Sequence, residues 1–92
     1  MNKEYRKIDG FEDYGIANDG SIWTYYFGRP KATFLSNGYV CVKLVKDGKK
    51  YNKRVNRLVA ETWLEKPEGW EQLDVAHLDS NKLNNHFSNL AW

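Results

Sequence analysis

The sequence predicts an α+β fold of antiparallel hairpins around one central helix, and three observations carry that prediction. Turn signals recur at Asn18-Asp19-Gly20, Ser36-Asn37-Gly38 and Asp47-Gly48, each between residues that favour strands. One stretch, residues 55–64, shows apolar residues at helical spacing. Short apolar runs also flank an asparagine-rich loop near the C-terminus. With 92 residues, no internal repeat and no linker-like tract, the chain reads as one small domain, 1–92. Within it, residues 1–54 form a β module and residues 55–92 a helix followed by the terminal loop.

Tyr14 to Ala17 is short and strand-compatible, and Asn18-Asp19-Gly20 turns the chain because these residues accept positive φ. Ser21 to Phe27, rich in aromatic and β-branched residues, reads as the return strand, broken by Gly28-Arg29-Pro30. Tyr39 to Val45 alternates at period two, with Val40, Val42 and Leu44 on one face. Asp47-Gly48 makes a tight turn and Lys50 to Arg54 returns. Val55, Leu58, Val59 and Thr62 with Trp63 then follow the helical rule, and Pro67 limits the end of that helix. Glu68 to Gln72 reads as loop, Leu73 to His77 as a short strand, Asp79 to Asn85 as a loop stiffened by Asx turns, and Asn89 to Trp92 as a terminal strand.

Composition excludes several classes. One cysteine, Cys41, rules out an intrachain disulfide, and with two histidines it cannot build a tetrahedral zinc site unaided. The longest apolar runs are far too short to span a membrane, so the expected location is the cytoplasm. Net charge is only +2, but it is unevenly spread. Between Lys43 and Arg57, seven basic residues face Asp47 alone; between Glu61 and Asp79, six acidic residues face Lys66 alone. The basic stretch suits a phosphate backbone, and it equally suits a solvated hairpin whose lysines guard a sheet edge.

The tail carries the sharpest motif. Val75-Ala76-His77-Leu78-Asp79-Ser80-Asn81-Lys82-Leu83-Asn84-Asn85-His86-Phe87-Ser88-Asn89-Leu90-Ala91-Trp92 resembles the HNH motif of phage and intron homing endonucleases, V-N/D-H-x-D-G-N-x-x-N-N-x-x-x-N-L-x-W. Two further blocks agree. Residues Tyr5 to Ile22 resemble a small N-terminal module of that family, W-x-x-I-x-G-F-E-x-Y-x-I-S-N-x-G-x-V. Asn37 to Leu44 and Arg57 to Trp63 resemble its N-G-Y-x-x-V-x-L strand and H-R-L-V-A-x-x-F helix.

The resemblance implies metal-dependent hydrolysis of a DNA phosphodiester, with Mg²⁺ or Mn²⁺ as cofactor where cleavage occurs. It implies His77 as general base on water, Asn89 as the residue that places it, and Asp79, Asn81, Asn84 and Asn85 as loop-shaping residues. A lone histidine beside an apolar strand is by itself a structural residue; the motif is what makes His77 a base. Double-stranded DNA is the expected partner, through Lys49, Lys50, Lys53, Arg54 and Arg57, and no membrane is expected. The alternative is a nuclease-dead module that binds a host protein through Trp23, Tyr25, Tyr26 or the acidic stretch.

Three departures from the pattern point to weak or absent cleavage. Ala76 stands where the family has a metal ligand, Asn56 where it has histidine, and the expected fold is a ββα-metal-like hairpin lacking its final, ligand-bearing helix. No metal ligand is therefore assigned. His86 is expected to be exposed, with phosphate contact as a lesser possibility, and Asp74 is read as surface charge.

Overall fold

The computed structural model describes residues 3–92. The N-terminal part is a four-stranded antiparallel sheet in sequential order: β1 (Tyr5–Ile8), β2 (Phe11–Ala17), β3 (Ile22–Thr24) and β4 (Arg29–Lys31). A second antiparallel sheet joins β5 (Phe34–Ser36), β6 (Tyr39–Lys46) and β7 (Lys49–Arg54). The helix α1 (Val55–Trp63) follows directly, and the two-residue strands β8 (Ala76–His77) and β9 (Leu90–Ala91) close a C-terminal hairpin. The architecture is the α+β arrangement of antiparallel hairpins and a central helix that the pattern predicts.

The turn chemistry places the hairpins. Asn37 and Gly38 have φ of 54° and 82°, and Asp47 and Gly48 have 53° and 75°. Two successive positive-φ residues give the turn whose twist matches the flanking strands, so β5–β6 and β6–β7 pair in tight register.

Several boundaries differ from expectation. The strand read as Ser21 to Phe27 ends at Thr24, because the Gly28 amide donates to the Thr24 carbonyl and curls residues 25–28 into a turn. Arg29 and Pro30 do not break the sheet. They form its edge strand β4, where a missing amide is tolerated. Tyr5–Ile8 and Phe34–Ser36 are strands with too little alternation to stand out. Residues 70–72 form a short 3-10 turn rather than open loop, and Leu73–Val75 lie outside the short strand β8. At the end of the chain only Leu90 and Ala91 pair; Phe87–Asn89 form a second 3-10 turn.

The apolar face of α1 joins the parts. Val55, Leu58 and Val59 pack with Ile8, Ile16 and Ile22 from the first sheet, Val42 and Leu44 from the second, and Leu90 from the terminal hairpin. Each such side chain stabilises by about 1.5–3 kcal/mol on full burial. Polar ties then fix the relative placement. The Tyr14 hydroxyl accepts from the Val45 amide at 3.2 Å, the Trp63 indole donates to the Ile16 carbonyl at 3.1 Å, and the Phe87 amide donates to the Asn18 carbonyl at 2.7 Å. The last contact seats the asparagine loop on the β2–β3 turn of the N-terminal sheet.

Candidate functional site

His77 sits at the end of β8, half-buried, with Leu90 of β9 directly across. Its Nε2 lies 2.7 Å from Asn85 Oδ1. An amide oxygen only accepts, so this pair calls for a proton on Nε2 and leaves the Nδ1 lone pair open. Asn85 is itself buried, held between the ring and Gly20, where an added Cβ would lie 3.2 Å from Asn85 Cβ and 2.9 Å from Val55 Cγ1. Gly20 has φ of 92°, so glycine is required there on both counts.

The residue that holds the histidine is therefore Asn85 and not the expected Asn89. Asn89 is buried one step away and organises the loop. Its Oδ1 accepts from the Asp79 amide at 3.1 Å, and its Nδ2 donates to Asp79 Oδ1 at 2.8 Å and to the Asn84 carbonyl at 2.9 Å. Asp79 is the hub. Its carboxylate also accepts from the Asn81 amide at 2.8 Å and from Asn84 Nδ2 at 3.0 Å. Asn84, then Asn81 and Asn89, donate to the charged form and hold this carboxyl below the ordinary carboxylate range. The Asn81 side chain closes one more Asx turn onto the Leu83 amide at 3.0 Å.

Ala76 is exposed immediately before His77, opposite Ala91. A methyl group has no lone pair for a hard cation, which wants oxygen. Both Asp79 carboxylate oxygens already accept hydrogen bonds within the loop. No group of three His, Cys, Asp or Glu side chains among the described residues could hold a metal ion. The side chains at this position thus do not fit a firmly held divalent cation. Asn56 is buried; its Nδ2 donates to the Val75 carbonyl at 3.4 Å and its Oδ1 accepts from the Arg57 amide at 2.9 Å, tying the helix start to the segment leading into β8. His86 is half-buried rather than exposed, and its Nδ1 accepts from the Ser88 amide at 3.2 Å to cap the last 3-10 turn. Asp74 is exposed.

The five basic residues singled out from the sequence do not form one surface. Across β6–β7, Lys50 faces Val45 and Arg54 faces Cys41, whereas Lys49 faces Lys46 and Lys53 faces Val42. Cross-strand partners share a face, so Lys50 and Arg54 lie with Lys43 on the outer side of the sheet. Lys49 and Lys53 lie on the other side, where Lys53 Nζ is 5.6 Å from the centre of the Phe11 ring.

Arg57 belongs to neither face. Its guanidinium pairs with Glu61 at 2.8 Å, donates to the carbonyls of Leu73, Trp70 and Glu71, and stands 5.0 Å from the Trp92 ring centre. It holds the segment leading into β8 and is not a free phosphate ligand. Tyr39 and Lys82 are not singled out by the sequence pattern. Arg54 Cζ lies 3.9 Å and Lys82 Nζ 4.5 Å from the centre of the Tyr39 ring, whose centre is 6.3 Å from that of His77. Strand alternation could have placed Tyr39 on the Arg54 face, but nothing in the sequence joins Lys82 to it. Among the aromatics proposed for a protein partner, Trp23 is half-buried with its ring centre 5.5 Å from that of Tyr5, while Tyr25 and Tyr26 are exposed.

By sequence and by fold the chain is similar to HNH endonucleases. The particular relatives are viral. DNA endonuclease I-HmuI of Bacillus phage SP01 is 37% identical over 92 residues, covering 97% of this chain and 51% of that protein. An uncharacterized HNH endonuclease of Acanthamoeba polyphaga mimivirus, L245, is also 37% identical, covering 100% of this chain and 27% of that protein. The solved structure of the HNH homing endonuclease I-HmuI, described for its DNA binding and cleavage, superposes with a TM-score of 0.83 at 34% identity, over 95% of this chain and 50% of that one. The chain thus spans about half the length of I-HmuI and about a quarter of that of L245. No protein-family model matches. No helix among the described residues is long and apolar enough to cross a membrane.

Proposed function

We propose that this chain binds double-stranded DNA through the backbone phosphates and, as it stands, hydrolyses them weakly or not at all. The observation that carries the reading is Ala76: an exposed methyl group beside a well-held histidine, where the family pattern has a metal ligand. His77, oriented by Asn85, can accept a proton at Nδ1. General-base help alone is typically worth ~10²–10⁴-fold, short of the ~10⁶–10¹⁷-fold by which enzymes accelerate their reactions. Mg²⁺ or Mn²⁺ matters only to residual cleavage.

DNA binding rests on the outer face of the β5–β6–β7 sheet, which carries Lys43, Lys50 and Arg54, with Arg54 at the end next to Tyr39 and His77. In this reading residues 1–54 supply the binding sheet and residues 55–92 the motif, working as one unit in the host cytoplasm.

The test has two arms. Supercoiled plasmid is incubated with the chain and Mg²⁺ or Mn²⁺, with His77→Ala as control. Duplex binding is then titrated across salt for a Lys43→Ala/Lys50→Ala variant and for Lys49→Ala/Lys53→Ala. We expect little nicking, and a weaker, less salt-dependent complex for the first pair only. Efficient metal-dependent nicking lost in the control overturns the reading of weak cleavage. Absence of duplex binding at low salt, with tight capture of a host protein, overturns the DNA assignment.

A further inference from the structure

We propose that Arg54 and Lys82, both resting on the ring of Tyr39, form a two-cation seat for the DNA backbone beside His77, and that Tyr39 is the residue that positions the pair. This rests on the DNA-binding reading above and adds where the strand is held. Arg54 comes from the end of β7 and Lys82 from the asparagine loop, so the seat exists only when the sheet and the loop are docked. Tyr39 contributes the common platform, with Arg54 Cζ and Lys82 Nζ at 3.9 and 4.5 Å from its ring centre. An aromatic face attracts cations electrostatically, and so gathers two groups that would otherwise repel.

Three features mark this pair as built for an anion. Both residues are exposed, and neither has a carboxylate within 4.0 Å among the described residues, where the ion pairs are Lys3–Asp19, Arg6–Glu4 and Arg57–Glu61. The acidic member of the loop, Asp79, has both oxygens engaged by donors from Asn81, Asn84 and Asn89. The Lys82 stem is also supported: a Cβ added at Gly38 would lie 3.7 Å from Lys82 Cδ and 3.9 Å from Nζ, so the side chain runs along the β5–β6 turn. Arg suits phosphate by its fork and Lys as a point charge, and the two together neutralise a strand without reading its sequence. The rings of Tyr39 and His77 are neighbours, so a backbone held here lies beside the histidine ring.

The experiment is duplex-DNA binding measured over a series of salt concentrations for the whole chain and for Arg54→Ala, Lys82→Ala, Tyr39→Leu and Tyr39→Phe, with folding checked by circular dichroism. Lys82→Ala and Arg54→Ala should each weaken binding severalfold and reduce the salt slope by about one unit. Tyr39→Leu should weaken binding severalfold although formal charge is unchanged, and Tyr39→Phe, which keeps the ring, should bind as the parent does. If Lys82→Ala and Tyr39→Leu bind like the parent while Lys43→Ala/Lys50→Ala does not, the seat is wrong and the DNA-binding reading survives. If the parent itself fails to bind duplex at low salt, both are wrong.

Discussion

Replacing Arg57 by alanine separates a structural arginine from a DNA ligand. The guanidinium pairs with Glu61 at 2.8 Å, with side chains 29% and 31% exposed, an i,i+4 arrangement worth about 0.3–0.5 kcal/mol in partly wet surroundings. It donates to three backbone carbonyls, those of Leu73, Trp70 and Glu71. A hydrogen bond from a charged group is worth about 1.5–3 kcal/mol, but one half-exposed guanidinium shared among three acceptors keeps about one such bond in total. The stack against Trp70 and Trp92, with ring centres at 5.6 and 5.0 Å, adds about 0.5–1 kcal/mol. Arg57→Ala should therefore cost about 2–4 kcal/mol, which lowers Tm by about 10 °C or more in a domain of this size. Thermal unfolding followed by far-UV circular dichroism measures it. Arg57→Lys should lose nearly as much, because an ammonium cannot reproduce the fork. A fall of less than about 2 °C for Arg57→Ala, together with a reduced salt slope for DNA binding below Tm, would refute the reasoning and return Arg57 to the DNA surface.

Other perturbations follow from the same contacts. Gly20→Ala forces a side chain onto a φ of 92° and a 2.9 Å contact with Val55 Cγ1, so a loss of about 2–4 kcal/mol is expected in a thermal melt. Asn85→Ala removes the acceptor at His77 Nε2; ¹⁵N spectra of the imidazole should change from one fixed tautomer to a mixture, whereas Asn89→Ala should leave the tautomer and loosen the loop. Asp79 titrates below its ordinary value of 3.8, so its support of the loop is complete above that pH and is lost as pH falls through the lower folded value. Amide exchange at Asn81 should accelerate across that acidic window, and Asp79→Asn should abolish the dependence. Ala76→Asp restores an oxygen beside His77; Mn²⁺ binding read by paramagnetic broadening of the His77 ring should tighten relative to the parent.

The fold was legible where local chemistry and tertiary packing agree. Positive-φ pairs at Asn37-Gly38 and Asp47-Gly48 dictate hairpins whatever surrounds them, and the alternation of β6 follows from burying Val42 and Leu44 under α1. It was less legible where long-range pairing decides. Tyr5–Ile8 is a strand because β2 lies beside it, and its exposed Arg6 and Lys7 hide the pattern. Pro30 reads as a breaker in sequence, yet an edge strand with its amide side unpaired accepts it.

The site divides along the same line, and the division explains why the motif alone misassigns roles. Spacing identifies His77 and the asparagine loop, because Asx turns are local and Asp79 can reach Asn81 and Asn84 within a few residues. Spacing does not say which asparagine meets the ring. Asn85 precedes the 3-10 turn at Phe87–Asn89 and Asn89 ends it, and the tie from the Phe87 amide to the Asn18 carbonyl fixes this turn with Asn85 toward His77 and Asn89 toward Asp79. Charge is subject to the same limit. A run of basic residues counts charges without assigning faces, and pleating sends Lys50 and Arg54 one way, Lys49 and Lys53 the other, while the helix diverts Arg57 into carbonyls. What remains on the His77 side is a smaller, directed set, extended by Lys82 from a loop remote in sequence. Under the proposed function, that set would hold a phosphate backbone without a metal, which is the property a chain with alanine at position 76 would retain if cleavage is weak.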